Sequence, residues 1–293
     1  MKKLLLKTLF YLLVIAITAF VFEKLFTYTH YHNAPRSSED WVMSLDSTDT
    51  FDYVLLGSSR VLNNIDPKII EEKTGKKGIN LGVYGGQAFD IKLFAERLIN
   101  LKNTAHLYIQ VDDSWNNDRE GKTSSFNWLP FIEEDFVWEQ FNALENEQYW
   151  YYKHIPFYKY ASFDSEIGIR DFIKGITNQK LKSIADSGFI SLEEEIPSEE
   201  ASKTYPFKLK DTMNLQINHI LRMCTENNVP VTFFTAPIFN AEGDHSILNK
   251  YLPNYHDFTN TYSNPDYFKD RRHLNATGAF HFSEKIADII NQQ

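Results

Sequence analysis

From Tyr53 onward, short apolar runs alternate with segments of helical periodicity, and no other feature constrains the fold as tightly. Tyr53–Leu56 reads as a short strand. Asp66-Pro67 then opens a helix running to Lys73, with Asp as N-cap and Pro at the first helical position. Gly78–Leu81 is a second strand, followed by the glycine-rich loop "GVYGGQ". Phe89–Asn100 is helical, its apolar stripe carried by Ile91, Leu93, Phe94 and Leu98 and continued by Leu101. His106–Val111 is a third strand and Val229–Thr235 a fourth. Before the fourth lies a helix over Leu209–Asn227, with Met213, Ile217, Ile220, Leu221 and Cys224 on one side. Asn275 caps a last helix in which Phe282, Ile286, Ile289 and Ile290 recur at helical spacing. Such alternation predicts an α/β fold, a parallel sheet covered by helices on both faces.

Upstream of this pattern, "MKKLLLKTLFYLLVIAITAFVFEKLF" places Lys2, Lys3 and Lys7 before fifteen uncharged residues, Thr8 to Phe22. Counted from Leu4, nineteen residues carry a single charge, enough to span a bilayer, and that charge, Lys7, lies near enough to the end to snorkel. A cleaved signal peptide is the rival reading. The apolar stretch continues past the small residues Ala16 and Ala19 without an A-x-A site, and no cysteine follows for a lipid anchor. Residues 1–24 are therefore expected to form an uncleaved anchor. The preceding lysines put the N-terminus in the cytoplasm and the body outside it. Residues 25–48 are expected to be a polar tether, and residues 49–293 a single domain interrupted by a long excursion at about 113–206. That excursion is dense in rings ("FNWLPFIEEDFVWEQFNALENEQYWYYKHIPFYKYASF"). It is read as an aromatic-rich helical subdomain, as a sugar-stacking or membrane-facing cover, or as both. "SLEEEIPSEEASK" reads as a solvated acidic loop.

The net charge of -9 argues against a nucleic-acid partner, since phosphate binding needs a basic face. A single cysteine, Cys224, excludes an internal disulfide and a cysteine-rich zinc site, and its helical position suits a small buried hydrophobe. His154, His245 and His256 show no metal spacing, and His281 falls on the last helix as a packing or surface residue. H-E-x-x-H, P-loop and dinucleotide fingerprints are missing from the sequence, so no metal or other cofactor is expected.

Reactive groups in open parallel sheets gather at the carboxyl ends of the strands. Ser58 and Ser59 follow strand one, the glycine loop follows strand two, and "DRRHLN" precedes the last helix. A serine pair at a strand end is commonly a turn. It becomes a nucleophile when a histidine can take the serine proton and a carboxylate orients that histidine. Asp270 and His273, three apart, can share one turn. Backbone amides at Ser59 and in the glycine loop could then hold an oxyanion. Arg60 is either a structural ion pair or a contact for an anionic substrate group.

"LLGSSR", "NLGVYGGQ" and "KDRRHLNATG" resemble the first, second and fifth blocks of the SGNH/GDSL hydrolase superfamily. The resemblance covers residues 51–112 and 228–290 in order and leaves the excursion unmatched. It implies a flavodoxin-like three-layer sheet and a Ser-His-Asp triad: Ser59 as nucleophile, His273 as base, Asp270 as its partner. Ser58 stands where the family carries the aspartate of G-D-S, and Gly85 matches the glycine whose amide points at the oxyanion. The family's G-x-N-D block is altered here to "YIQVDDSWNN", with Asp113 near the asparagine's place. Because a carboxylate repels an oxyanion, either Asp113 points away or Asn116 or Asn117 substitutes; Asn116 is the candidate third donor.

The anchor, the G-S-S variant and the altered third block further resemble a bacterial membrane-anchored branch. That branch includes the D-alanyl transfer protein of teichoic acid synthesis and the alginate O-acetylation proteins. The resemblance implies an extracytoplasmic serine acyltransferase or esterase acting on O-acyl groups of a cell-surface or exported glycan, beside a membrane-bound O-acyltransferase. The alternative is a non-catalytic accessory protein that binds glycan or such an acyltransferase, and a secreted lipase comes third.

Overall fold

The structure, a computed structural model, describes residues 1–102, 106–121 and 123–292. The chain forms two compact units, one of Met1–Ser44 with Ser125–Leu181 and one of Leu45–Ser124 with Lys182–Gln293.

The second unit is built on a five-stranded parallel sheet: β1 (Tyr53–Leu56), β2 (Gly78–Asn80), β3 (Leu107–Gln110), β4 (Val231–Thr235) and β5 (Tyr255–Asp257). Their spatial order is β2-β1-β3-β4-β5, the flavodoxin-like doubly wound order. β1 and β3 are buried at every position, as strands covered on both faces must be. Alternate residues point to opposite faces. Tyr53, Leu55, Tyr108 and Phe234 meet Ile70, Phe282, Ile286 and Ile290 in one core, where helices Pro67–Thr74 and Ala276–Asn291 pack together. Helices Ala88–Leu101 and Leu215–Glu226 form the other pair, and Cys224 is buried there, its thiol pushed up to about 11 by burial.

Caps set the element ends. Asp66 Oδ1 accepts from Lys68 N–H (2.9 Å) and Asn275 Oδ1 from Gly278 N–H (3.0 Å). The helix expected from Leu209 begins only at Leu215. Asn214 caps it through Ile217 N–H and is itself held by the carbonyls of Trp115 and Asn117, so Met213 stays outside.

In the other unit, the polar tether expected over residues 25–48 is instead structured. One helix runs unbroken over Lys2–His32, and a second follows at Ser38–Ser44. The reason is packing and charge pairing within the unit. Phe26 stacks on Phe172 (4.2 Å between centroids), and Glu23 pairs with Lys159 and accepts Phe157 N–H (2.8 Å). His30 Nδ1 meets Asp40 (2.8 Å), and Arg36 Nε donates to Asp171 (2.8 Å). The excursion is likewise divided. Its ring-rich helices, within residues 125–181, belong to this unit, whereas residues 182–206 return to the sheet unit. There Ile190 N–H donates to Leu62 O (3.0 Å), and Ile196, inside the expected acidic loop, is buried in the core.

Candidate active site

β1 ends at Leu56, and after Gly57 the chain turns into a short helix, Ser59–Leu62. The two serines have different partners. The Ser58 hydroxyl accepts from Arg60 N–H (3.3 Å) as the N-cap and donates to Gln110 Oε1 (2.9 Å), which also accepts the Ser58 amide (3.0 Å). Ser59 Oγ meets His273 Nε2 at 2.7 Å. On the far side of that ring, Nδ1 lies 2.9 Å and 3.1 Å from the two Asp270 oxygens. Asp270 Oδ1 also accepts the amides of Arg272 (2.7 Å) and His273 (2.9 Å). Burial alone would raise the Asp270 carboxyl, but the His273 contacts and these amides outweigh it and hold the group below its ordinary value. An ionised acceptor on Nδ1 favours the tautomer that leaves Nε2 free to take the serine proton.

Polar side chains with no sequence signature pin these loops. Asn64 Oδ1 accepts Leu274 N–H (3.0 Å), tying the His273 turn to the segment after Ser59. Asn80 Nδ2 donates to the carbonyls of Val61 (2.7 Å) and Ile65 (2.8 Å), while its Oδ1 accepts Gly82 N–H (2.9 Å). Only their placement at strand and helix ends could have flagged Asn64, Asn80 and Gln110 from sequence.

Arg60, the other expected contact, is turned into the interior. Its side chain is wholly buried, donates to Asp112 (3.0 Å) and to the carbonyls of Ala236 and Pro237, and so is the structural ion pair. Burial alone would raise the Asp112 carboxyl, but Arg60, Arg272 and the Ser114 N–H overcome it and lower it strongly. Asp113 accepts from Tyr205 OH (2.6 Å) and Arg272 Nη2 (3.1 Å). Its carboxyl is raised, by burial first and by the Asp112 charge second.

Asn116, the expected third oxyanion donor, has its amide engaged with another segment. Its Nδ2 donates to Lys208 O (2.7 Å) and its Oδ1 accepts Lys210 N–H (2.7 Å), so both ends of the amide hold the 208–210 segment. Asn117 Nδ2 instead donates to Gln87 Oε1 (3.2 Å), at the end of the glycine loop. That loop is seated on the elbow by Val83 N–H donating to Gly57 O (3.1 Å). Gly85 sits there with φ +68°, a conformation open to glycine, and a Cβ would overlap the Thr123 hydroxyl. The Ser59 amide, at the first helical position, has no intrahelical acceptor.

No protein-family model and no curated protein matches the chain. Solved structures similar to it include one described as a lipolytic protein of the G-D-S-L family from Desulfitobacterium hafniense DCB-2. That pair has 10% identity and a TM-score of 0.31, over 82% of this chain and 99% of the other. A lipase/acylhydrolase from Enterococcus faecalis has 13% identity and a TM-score of 0.29, over 82% and 96%. Scores this low carry no argument about chemistry.

Proposed function

We propose that the sheet unit is a serine acyl-transfer enzyme, an esterase or O-acyltransferase that works through an acyl-Ser59 intermediate. The observation that carries this reading is the relay from Ser59 Oγ through His273 to Asp270, with contacts of 2.7 Å and 2.9 Å. Ser59 Oγ attacks the carbonyl carbon of an O-acyl ester as its proton passes to His273 Nε2. The amides of Ser59 and Gly85 are the donors proposed for the resulting oxyanion. As the intermediate collapses, the ester C–O bond breaks and the departing alkoxide takes the proton from His273. Water or an acceptor hydroxyl then gives its proton to the same nitrogen and attacks acyl-Ser59, which restores the serine. No step needs a metal or redox group.

The finer reading is an enzyme on the extracytoplasmic face of the cytoplasmic membrane, acting on O-acyl groups of a cell-surface or exported glycan, beside a membrane-bound O-acyltransferase. The N-terminal helix supports the location. It is the one helix among the described residues long and apolar enough to cross a membrane, with Lys2, Lys3 and Lys7 in its first two turns, ahead of the uncharged run. The test is labelling by a fluorophosphonate probe, which reports an activated serine. Ser59 is labelled, Ser59→Ala is not, and His273→Ala loses labelling while keeping its circular dichroism. Failure of the wild type to label would overturn the catalytic reading and leave a non-catalytic binding role.

A further inference from the structure

From Leu4 to Phe22 the N-terminal helix carries a single charge, Lys7 near its start, and these nineteen residues rise about 28 Å at 1.5 Å each, close to the thickness of a bilayer's hydrocarbon core. The first side chains on it to engage the rest of its unit lie at the end of that run. Phe22 meets Phe157 (5.7 Å between ring centroids), and Glu23 accepts Phe157 N–H and pairs with Lys159. The turn Ile155-Pro156-Phe157-Tyr158 is thus level with the point where a spanning helix leaves the hydrocarbon.

A second element reaches the same level. Helix Ile169–Ile176 runs alongside the N-terminal helix in the same direction, since Phe172 stacks on Phe26 and Gly175 O accepts Asn33 Nδ2 (3.0 Å). Gly175 permits the approach, because a Cβ there would lie 3.0 Å from Thr29 Cβ. Ile169, about one turn before Phe172, is therefore level with Glu23. At this level the surface is apolar and aromatic. Trp150 is 52% exposed, Ile155 44% and Ile169 59%, with Tyr151 and Tyr158 exposed beside them. Tyr151 sits edge-on to both Trp150 and Tyr158.

We propose that this base, the Ile155–Tyr158 turn with Trp150, Tyr151 and Ile169, is seated in the lipid headgroup region around the emerging helix. Its occupant is lipid because the patch continues the apolar wall of the spanning helix at the depth where Trp and Tyr are favoured in membranes. Isolated apolar side chains on a surface need no explanation; a contiguous ring-rich group of this kind at the helix exit does. The anchor then holds its unit at more than one point. Because residues 23–36 are locked to the unit, the unit's orientation on the bilayer is set along with its attachment.

The inference rests on the reading of residues 1–24 as a membrane span, and the test separates the two. The full chain is reconstituted in lipid-only nanodiscs and labelled with an environment-sensitive fluorophore at one introduced cysteine: Leu12→Cys in the span, Ile155→Cys at the base, or Lys180→Cys. Native Cys224 is buried and serves as the unlabelled background. Lys180 precedes Leu181, whose N–H bonds Pro35 O beyond the end of the N-terminal helix, so it marks a position well above the exit. The Leu12 label is expected to be quenched by lipids brominated near the chain end. The Ile155 label is expected to be blue-shifted and quenched by lipids brominated near the glycerol, and the Lys180 label to remain aqueous. An unquenched Leu12 label overturns the span. A quenched Leu12 label with an aqueous Ile155 label overturns the seated base alone and makes the patch a docking face for protein. Tyr158→Cys repeats the measurement if Ile155→Cys misfolds, and the part of native quenching lost in Trp150→Phe gives a label-free readout.

Discussion

Gln110 Oε1 accepts hydrogen bonds from both the amide and the hydroxyl of Ser58, at 3.0 Å and 2.9 Å. One buried side chain at the end of β3 thereby fixes the residue before the proposed nucleophile. Its other end, Nε2, donates to Asp112 Oδ2 (2.7 Å), so the elbow, Gln110 and the Arg60–Asp112 pair form a single clamp.

The clamp separates the two serines experimentally. Ser58→Ala removes an N-cap acceptor and one bond to Gln110 but keeps the amide contact, so it is expected to lose about 1 kcal/mol in a urea melt. Probe labelling at Ser59 should persist. Gln110→Ala strands the Ser58 amide and hydroxyl together, with a loss of roughly 2–3 kcal/mol and slower labelling. If Ser58→Ala abolished labelling with its fold intact, the roles of the two serines would be reversed.

Asp112 and Asp113 are neighbours with opposite expected responses. Asp112 is buried against buried Arg60, and removing its charge in Asp112→Asn leaves a guanidinium uncompensated, at a cost of roughly 3–5 kcal/mol. Asp113 titrates above its ordinary value, so its ionised form opposes folding at neutral pH. Asp113→Asn keeps an acceptor for Tyr205 and relieves the repulsion from Asp112, against the loss of the Arg272 pair. A change within about 1 kcal/mol is expected. Equal, large losses in both variants would contradict this division.

The same shifts fix an acid window. Asp112 and Asp270 both ionise lower in the folded protein than in the unfolded chain. Their contributions are complete above the unfolded value, about 4 for an aspartate, and are lost as pH falls below it toward the folded values. Stability measured by denaturant titration should therefore fall steeply from about pH 4 downward. Asp112→Asn should flatten that slope. A slope in that window unchanged by Asp112→Asn would assign the acid sensitivity to other carboxylates.

How much of this was legible in the sequence depended on the length scale of each signal. β1, the Asp66 and Asn275 caps, and helix Ala88–Leu101 came from local patterns that tertiary contacts then reinforced. β5, the three residues Tyr255–Asp257 with two half-buried and Asp257 exposed, is too short to show a period and exists only because β4 offers it an edge. Ser59, Asp270 and His273 were readable because each lies in a run placed by a strand end or a helix start. The Asn116 side chain is held by the backbone of residues 208–210, 92 to 94 positions away, and no local pattern encodes that. Arg60 could have been either of two things until Asp112, 52 residues on, was seen beside it. Residues 25–48 are polar in sequence yet largely helical, because their charges pair with partners as distant as Asp171, which Arg36 meets.

The oxyanion assignment can be tested at Gly85. A side chain there meets two separate obstacles: a left-handed backbone at φ +68°, and the Thr123 hydroxyl where a Cβ would stand. The backbone penalty is about 1–2 kcal/mol for an alanine, enough to move the loop without unfolding the sheet. Moving the loop shifts the Gly85 amide from where the oxyanion forms, and losing one such donor costs about 10²–10³ in rate. Gly85→Ala is therefore expected to lower kcat on a p-nitrophenyl ester by that factor with KM little changed. Thr123→Ala in the same chain removes the steric obstacle and leaves the backbone one, so the double variant should regain part of the rate and not all of it. Wild-type turnover in Gly85→Ala would remove this amide from the site and leave the Ser59 N–H, with Asn117 beside the loop, as the groups to test next.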